Sequence, residues 1–396
     1  MAAAADDFSA FNLLSVLPAA FCVLLSMAGD AIPGGAEISR LKLLPPGPDN
    51  PRNSEGAFVA LKDGRVLLIY SHFTGKDSND DAPCYLASRF SADGGKTWSA
   101  NDEHVVSNEA VAVGGNVMSP SLLRLRDGRI ALFYLRLVSS LDCRPILRFS
   151  TDEGKTWGSP QTCIPDAEKG YYVVNNDRVV QLKSGRLVMP AARHDDTTKP
   201  GNFNHRPRTM CWLSDDGGAT WRRSKTVLDG RHGPDFYVSL QEPGVIELKD
   251  GRLMMFCRTH VGRPYISFSS DGGETWSPDE PMPGVYAPVS VPTIKRIPQT
   301  GDLLMAWNNH EGIATNAKSP YHGKRTPYNV AISRDEGKTW EKIKTIEDDA
   351  DGWYCYTGMT FVSDDVLLCH CAGNRPKFGG LETTQITRFS LQWLYK

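Results

Sequence analysis

Ser91-Ala92-Asp93-Gly94-Gly95-Lys96-Thr97-Trp98 reads SADGGKTW, a tight turn closed by a large aromatic residue, and the chain writes this phrase five times. The other copies are STDEGKTW (Ser150–Trp157), SDDGGATW (Ser214–Trp221), SSDGGETW (Ser269–Trp276) and SRDEGKTW (Ser333–Trp340), all of the form S-x-D-x-G-x-T-W. They recur at roughly 60-residue intervals, and self-similarity at such a period marks a repeat architecture. Within each copy the aspartate is suited to accept N–H bonds from its own turn, the glycine to take positive φ, and the tryptophan to bury between neighbouring sheets. A turn that staples itself needs no ligand, so the phrase reads as scaffold.

A second phrase lies between the boxes: LKDGRVLLIY (Leu61–Tyr70), LRDGRIALFY (Leu125–Tyr134), LKSGRLVMPA (Leu182–Ala191) and LKDGRLMMFC (Leu248–Cys257), with weaker versions at Pro298–Trp307 and Val362–Cys371. Each sets a polar turn between apolar, β-branched runs, the signature of a β-hairpin. Five of the six are followed by a further strand-like segment leading into a box, which makes about four strands per unit. Six four-stranded units without convincing helical periodicity predict an all-β chain, a six-bladed β-propeller in which radial packing leaves only short, protected sheet edges. The C-terminal ITRFSLQWLY is expected to close the ring against N-terminal material near ISRLKLL.

The formal net charge is −2, with 44 basic against 46 acidic residues, so nothing sequence-wide favours nucleic acid or an anionic membrane as partner. No low-complexity tract interrupts the chain, and residues 36–396 are read as a single propeller domain. Residues 1–35 hold a largely apolar run followed by small residues, like a signal peptide's hydrophobic region, although Asp6, Asp7 and Pro18 are atypical of one; the alternative is a disordered extension. The run makes secretion the expected fate, with a cytoplasmic location as the alternative, and Pro18 argues against a stable membrane span. No CxxC pair occurs, several cysteines sit in apolar strand-like runs, and neither a metal nor a cofactor is expected.

Subtracting the repeat leaves polar residues that occur once in their settings. Glu242 interrupts the strand-like SLQEPGVIEL, and its hairpin returns through FCRTHVGRPYISF with Arg258, so the two can converge. Arg325 opens a third strand in YHGKRTPYNVAIS, and Tyr354 and Tyr356 open the last unit in DGWYCYTGMTF. Arg178 in NNDRVV, with Arg193 and His194 in AARHDD, adds cationic groups in the third unit.

Five boxes on a six-unit frame resemble the sialidases, six-bladed propellers whose boxes are called Asp boxes, and the resemblance runs from about Arg52 to the C-terminus. It implies an Asp-box turn in five blades and a role for Glu242 and Arg258, which match the family's glutamate and hairpin arginine. Arg325 matches the next arginine, and Tyr356 in CYTGM matches the nucleophilic tyrosine. The implied chemistry is coherent. A phenol is a weak nucleophile unless a neighbouring carboxylate takes its proton, here Glu242. A tyrosine also suits a substrate whose own carboxylate would repel an anionic nucleophile, and arginines clamp such a carboxylate. The general acid would stand on the loop HFTGKDSNDDAPCY, where counting back from the next strand favours Asp80, with Asp77 and Asp81 as alternatives.

The departure from the family lies in PRNSEGAFVAL. The first clamp arginine is replaced by Ser54 or Glu55, and Arg52 lies upstream. Either Arg52 reaches in from a shifted backbone or the protein binds something other than ordinary sialic acid. The implied function is a retaining exo-glycosidase for a terminal acidic sugar on a glycan or glycoconjugate. The alternatives are a hydrolase or lyase for a uronic-acid glycan and a non-catalytic glycan-binding propeller.

Overall fold

The structure, a computed structural model, describes residues 37–107, 115–195, 201–313 and 318–396; the signal-like run falls outside them. The described residues form six antiparallel sheets arranged as the blades of a β-propeller. The first strand of each blade faces the central channel: Asn53–Ala60, Asn116–Arg124, Tyr172–Val173 with Val180–Gln181, Gln241–Glu247, Thr293–Arg296 and Gly352–Val362 in blades one to six. Each hairpin phrase supplies the turn between the first and second strands. Six apolar clusters fill the gaps between blades, as where Leu67 and Ile69 of blade one meet Leu122 and Leu132 of blade two. Strands of this kind are buried on both faces, which is why they read as apolar runs rather than alternating ones.

Blade six closes the ring with chain from both ends. Ile38–Leu44 pairs antiparallel with Thr384–Ser390, with Ile38 opposite Phe389 and Leu44 opposite Thr384. The Asn53 N–H then donates to the Glu382 carbonyl at 3.2 Å, joining blade one to blade six. The pairing expected between ITRFSLQWLY and ISRLKLL is therefore present. Among the described residues no helix is long and apolar enough to cross a membrane, and the eight cysteines are buried free thiols.

The boxes do the structural work expected of them. Asp93 Oδ1 accepts the Lys96 and Thr97 N–H groups at 3.0 and 2.9 Å, and Oδ2 accepts the Thr97 hydroxyl at 2.6 Å. Asp152, Asp216, Asp271 and Asp335 repeat the threonine bonds, and these hold Asp152 and Asp216 down to a pKa of about 2. The glycine is needed twice over: Gly95 has φ +86°, and a Cβ there would lie 2.6 Å from Leu367 of blade six. Gly154 and Gly218 press in the same way on Leu67 and Leu147, so a box turn leans on the preceding blade. Even the variable positions join blades, since Glu153 takes the Lys62 N–H and pairs with Arg124.

One buried group in this frame makes stability pH-dependent. His370, 1% exposed in blade six, donates from Nδ1 to the Cys371 carbonyl at 2.9 Å, and its Nε2 accepts from the Thr387 hydroxyl at 2.9 Å. Burial pushes its pKa down to about 4, so it stays neutral where an unfolded histidine, near 6.5, takes up a proton. The unfolded state binds more protons between those values, and stability falls as pH falls from about 6.5 toward 4. Over that window His370 alone accounts for roughly 3 kcal/mol. Melting curves should shift down steadily across it, and His370→Gln, less stable at neutral pH, should show the shallower slope; parallel slopes would contradict the assignment.

Candidate active site

The site is built from irregularities in the inner strands. Four of them carry a β-bulge, between Ser54 and Ala57, Met118 and Ser121, Gln241 and Gly244, and Cys355 and Gly358. Each bulge places a non-glycine residue at positive φ: Glu55 (57°), Ser119 (57°), Glu242 (48°) and Tyr356 (56°). A bulge adds a residue and re-aims its side chain, and left-handed backbone at such residues is a strain the surrounding structure must hold. All four side chains line one cavity at the channel mouth. Neighbouring glycines make room: a Cβ on Gly244 would meet the Phe256 ring at 2.3 Å, and one on Gly358 the Gly56 carbonyl at 2.4 Å.

Tyr356 donates its hydroxyl toward Glu242 Oε1 at 3.4 Å. The same oxygen accepts from Arg258 Nη1 at 2.9 Å, while Arg258 Nη2 donates to Gln241 Oε1 at 2.5 Å. The Arg325 guanidinium stands 5.2 Å from the centre of the Tyr356 ring and the same distance from that of Trp353, and its Nε donates to the Val289 carbonyl at 3.2 Å. Burial, and then the Glu242 charge, raise the Tyr356 pKa above that of an ordinary tyrosine, against the pull of Arg325 and Arg258. The phenol is therefore protonated at neutral pH and needs a base. Burial works against the Arg325 charge, but Cys355, Tyr356 and Glu242 outweigh it and keep the guanidinium charged.

Of the three loop aspartates, Asp80 lines the cavity. Its side chain is 70% exposed, and Oδ1 lies 2.7 Å from Arg52 Nη1; Asp77 instead accepts the Asn79 N–H within its own turn. Arg52 does not reach into the cavity. It is 1% exposed, donating from Nε to Ser54 Oγ at 2.9 Å, from Nη1 also to the Ser78 carbonyl, and from Nη2 to Glu55 Oε1 at 3.0 Å. Glu55 faces the cavity in its place, with Arg52 as its buried support.

Two further expected cations also lie apart from the cavity. Arg178 donates to the Pro292 carbonyl at 3.0 Å and to Thr293 Oγ1 at 3.4 Å, within a second cavity of the channel. Arg193 is held bidentate by Asp195 at 2.6 and 2.9 Å, two residues along its own strand. His194 does line the site. It is stacked on Phe203 with ring centres 4.4 Å apart, and burial lowers its pKa to about 4, so it is a neutral wall there.

Sequence reasoning missed the floor. Asn176 Nδ2 donates to the carbonyls of Gly56 and Tyr356 at 2.7 and 3.1 Å, tying the bulges of blades one and six to blade three. Asp177 accepts the Met359 N–H at 2.9 Å and pairs with Lys295 Nζ at 2.7 Å. The available signal was NND, a polar triplet between the apolar YYVV and Arg178.

A family model described as a BNR repeat-like domain matches residues 75–368. The chain is 25% identical over 338 residues to a sialidase of Micromonospora viridifaciens, covering 78% of this chain and 48% of that protein. It is 27% identical over 244 residues to a sialidase of Clostridium perfringens, covering 57% and 60%. The chain thus spans about half the length of the curated relatives it matches. Among solved structures, Trypanosoma rangeli sialidase superposes with a TM-score of 0.67 at 18% identity, over 91% of this chain and 61% of that one. A protein of unknown function from Dyadobacter fermentans gives 0.68 at 20%, over 90% and 100%. These likenesses show the fold, and with the family model matched across most of the blades, the chain belongs to the BNR repeat-like family, on the six-bladed propeller of the sialidase superfamily.

Proposed function

We propose that this protein is a retaining exo-glycosidase of the sialidase type, acting on a terminal acidic sugar without a metal. The observation that carries the reading is the Tyr356 hydroxyl 3.4 Å from Glu242 Oε1, beneath Arg325 and in one cavity with Asp80. Glu242 takes the phenolic proton as the Tyr356 oxygen bonds to the anomeric carbon, and the glycosidic bond breaks with the Asp80 carboxyl giving its proton to the leaving oxygen. Asp80, now the base, then deprotonates a water that attacks the same carbon. The tyrosyl–sugar bond breaks, and the Tyr356 oxygen recovers its proton from Glu242. Two displacements at one carbon retain its configuration. Arg325, which among the described residues has no carboxylate partner, takes the sugar's carboxylate beside Arg258 in this reading.

Release of the fluorophore from an aryl α-ketoside of sialic acid, assayed beside a panel of uronic-acid glycans, tests the reading; no turnover of any ketoside would refute it. The role of Asp80 has its own diagnostic. Asp80→Asn should lower kcat/KM by about 100-fold or more for an alkyl ketoside, whose leaving group needs a proton, and much less for an aryl ketoside with an acidic leaving group. Equal losses on both would remove Asp80 from that role.

A further inference from the structure

Three carboxylates, Glu55, Asp80 and Glu242, line the cavity, and Arg258 is the cation whose side chain lines it with them. Arg258 is already engaged by Glu242 and Gln241. Glu55 is 6% exposed. Its Oε1 is fixed by Arg52 at 3.0 Å, and among the described residues none comes within hydrogen-bond geometry of its buried Oε2. A buried acceptor without a donor is costly to a fold. This one sits on a bulge in the same left-handed conformation that presents Tyr356 and Glu242. The Asp80 side chain is turned to Arg52 and that of Glu242 to Arg258, and Met118 and Leu135 of the same wall are apolar. Inside the fold the Ser71 hydroxyl hydrogen-bonds this carboxyl, against the burial that raises its pKa, and the rest of its accepting capacity turns to the cavity that it lines.

Resting on the glycosidase reading, we infer that Glu55 is a specificity-determining residue that accepts a hydrogen bond from a hydroxyl of the bound sugar. The substrate is then a glycoside that turns its carboxylate to Arg325 and presents a hydroxyl at the blade-one wall. A sugar offering an anionic group to that wall meets Glu55 and is rejected by like charge, and specificity built on a buried acceptor discriminates strongly against a ligand that lacks the matching donor. Arg52 acts through Glu55 as a positioning residue, since its four donated bonds hold Ser54, Ser78, Glu55 and Asp80 in one arrangement.

The test pairs the enzyme variant with the substrate variant. Wild type and Glu55→Gln, which keeps the shape and an oxygen for Arg52, are assayed on an aryl α-ketoside and on its monodeoxy derivatives, with melting temperature as the control for folding. One deoxy derivative should lose about 10- to 100-fold in kcat/KM with wild type, the range for a hydrogen bond to a charged group, and little with Glu55→Gln. The variant should be correspondingly weaker on the parent compound. Identical discrimination by both proteins across the whole series overturns the assignment and makes Glu55 a carboxylate satisfied within the fold and by water. If wild type turns over no ketoside, the glycosidase reading falls, and Glu55 is judged by calorimetric binding of methyl glycosides and their deoxy forms. Equal affinities for both proteins there, or no binding by either, overturn it as well.

Discussion

Tyr356→Phe is expected to lower kcat on an aryl ketoside by at least about 1,000-fold, because in the proposed double displacement the attacking oxygen is the one that this change removes. The change removes one oxygen. The ring keeps its position under Arg325 and its backbone stays on the Cys355–Gly358 bulge, so melting temperature and substrate affinity should move little. Intact-protein mass spectrometry supplies a readout that a structural defect would not mimic. With a fluorinated ketoside that slows the second displacement, wild type should gain the mass of one sugar on Tyr356, and the variant none. A variant that keeps a tenth of the activity would mean that water, not the phenol, makes the first attack.

Glu242→Gln should follow closely, with a loss of about 100- to 10,000-fold in kcat, the span of a positioned general base. Glutamine still offers an oxygen to Arg258 Nη1, so the 2.9 Å contact survives in kind and the effect falls on proton transfer. The shape of the pH profile carries the argument further. Burial is the largest cause of the raised Tyr356 pKa and persists without the Glu242 charge. Raising the pH to about 9, still below the pKa of an ordinary tyrosine, should therefore fail to restore the variant. Recovery in mild alkali would show a phenol that ionises unaided and would take from Glu242 the role of base.

The architecture was legible because it is written repeatedly: one box can be chance, but five boxes with six hairpin turns between them leave few folds. The convergence of Glu242, Arg258, Arg325 and Tyr356 was legible too, since Glu242 and Tyr356 break strands where the repeat offers no reason for it, and Arg258 ends a strand and Arg325 precedes one. What the sequence hid was the bulge. One extra residue in a strand moves every following side chain to the other face, and nothing in NSEGAF shows whether Arg52, Ser54 or Glu55 ends up facing the channel. The structure assigns that face to Glu55. Arg193 was misread for a simpler reason, as its partner Asp195 lies two residues away on the same side of the strand, a spacing visible in ARHD. Arg178 and the Asn176 floor depend on contacts across the channel between blades more than 100 residues apart in the chain, which no local pattern reports.

The closure of blade six sets the order in which this site comes into existence during synthesis. Tyr356 stands on a sheet whose outermost strand, Ile38–Leu44, is among the first parts of the blades to leave the ribosome, and whose neighbour, Thr384–Ser390, is among the last. Blades one to five complete their own sheets as they emerge. The sheet that bears Tyr356 stays unfinished, with an open edge, until translation has passed Ser390. A contact spanning nearly the whole chain forms slowly, and an unpaired edge is the part of a nascent chain most exposed to wrong partners. The nascent protein thus carries Glu242 on a finished blade well before the sheet that bears Tyr356 can close.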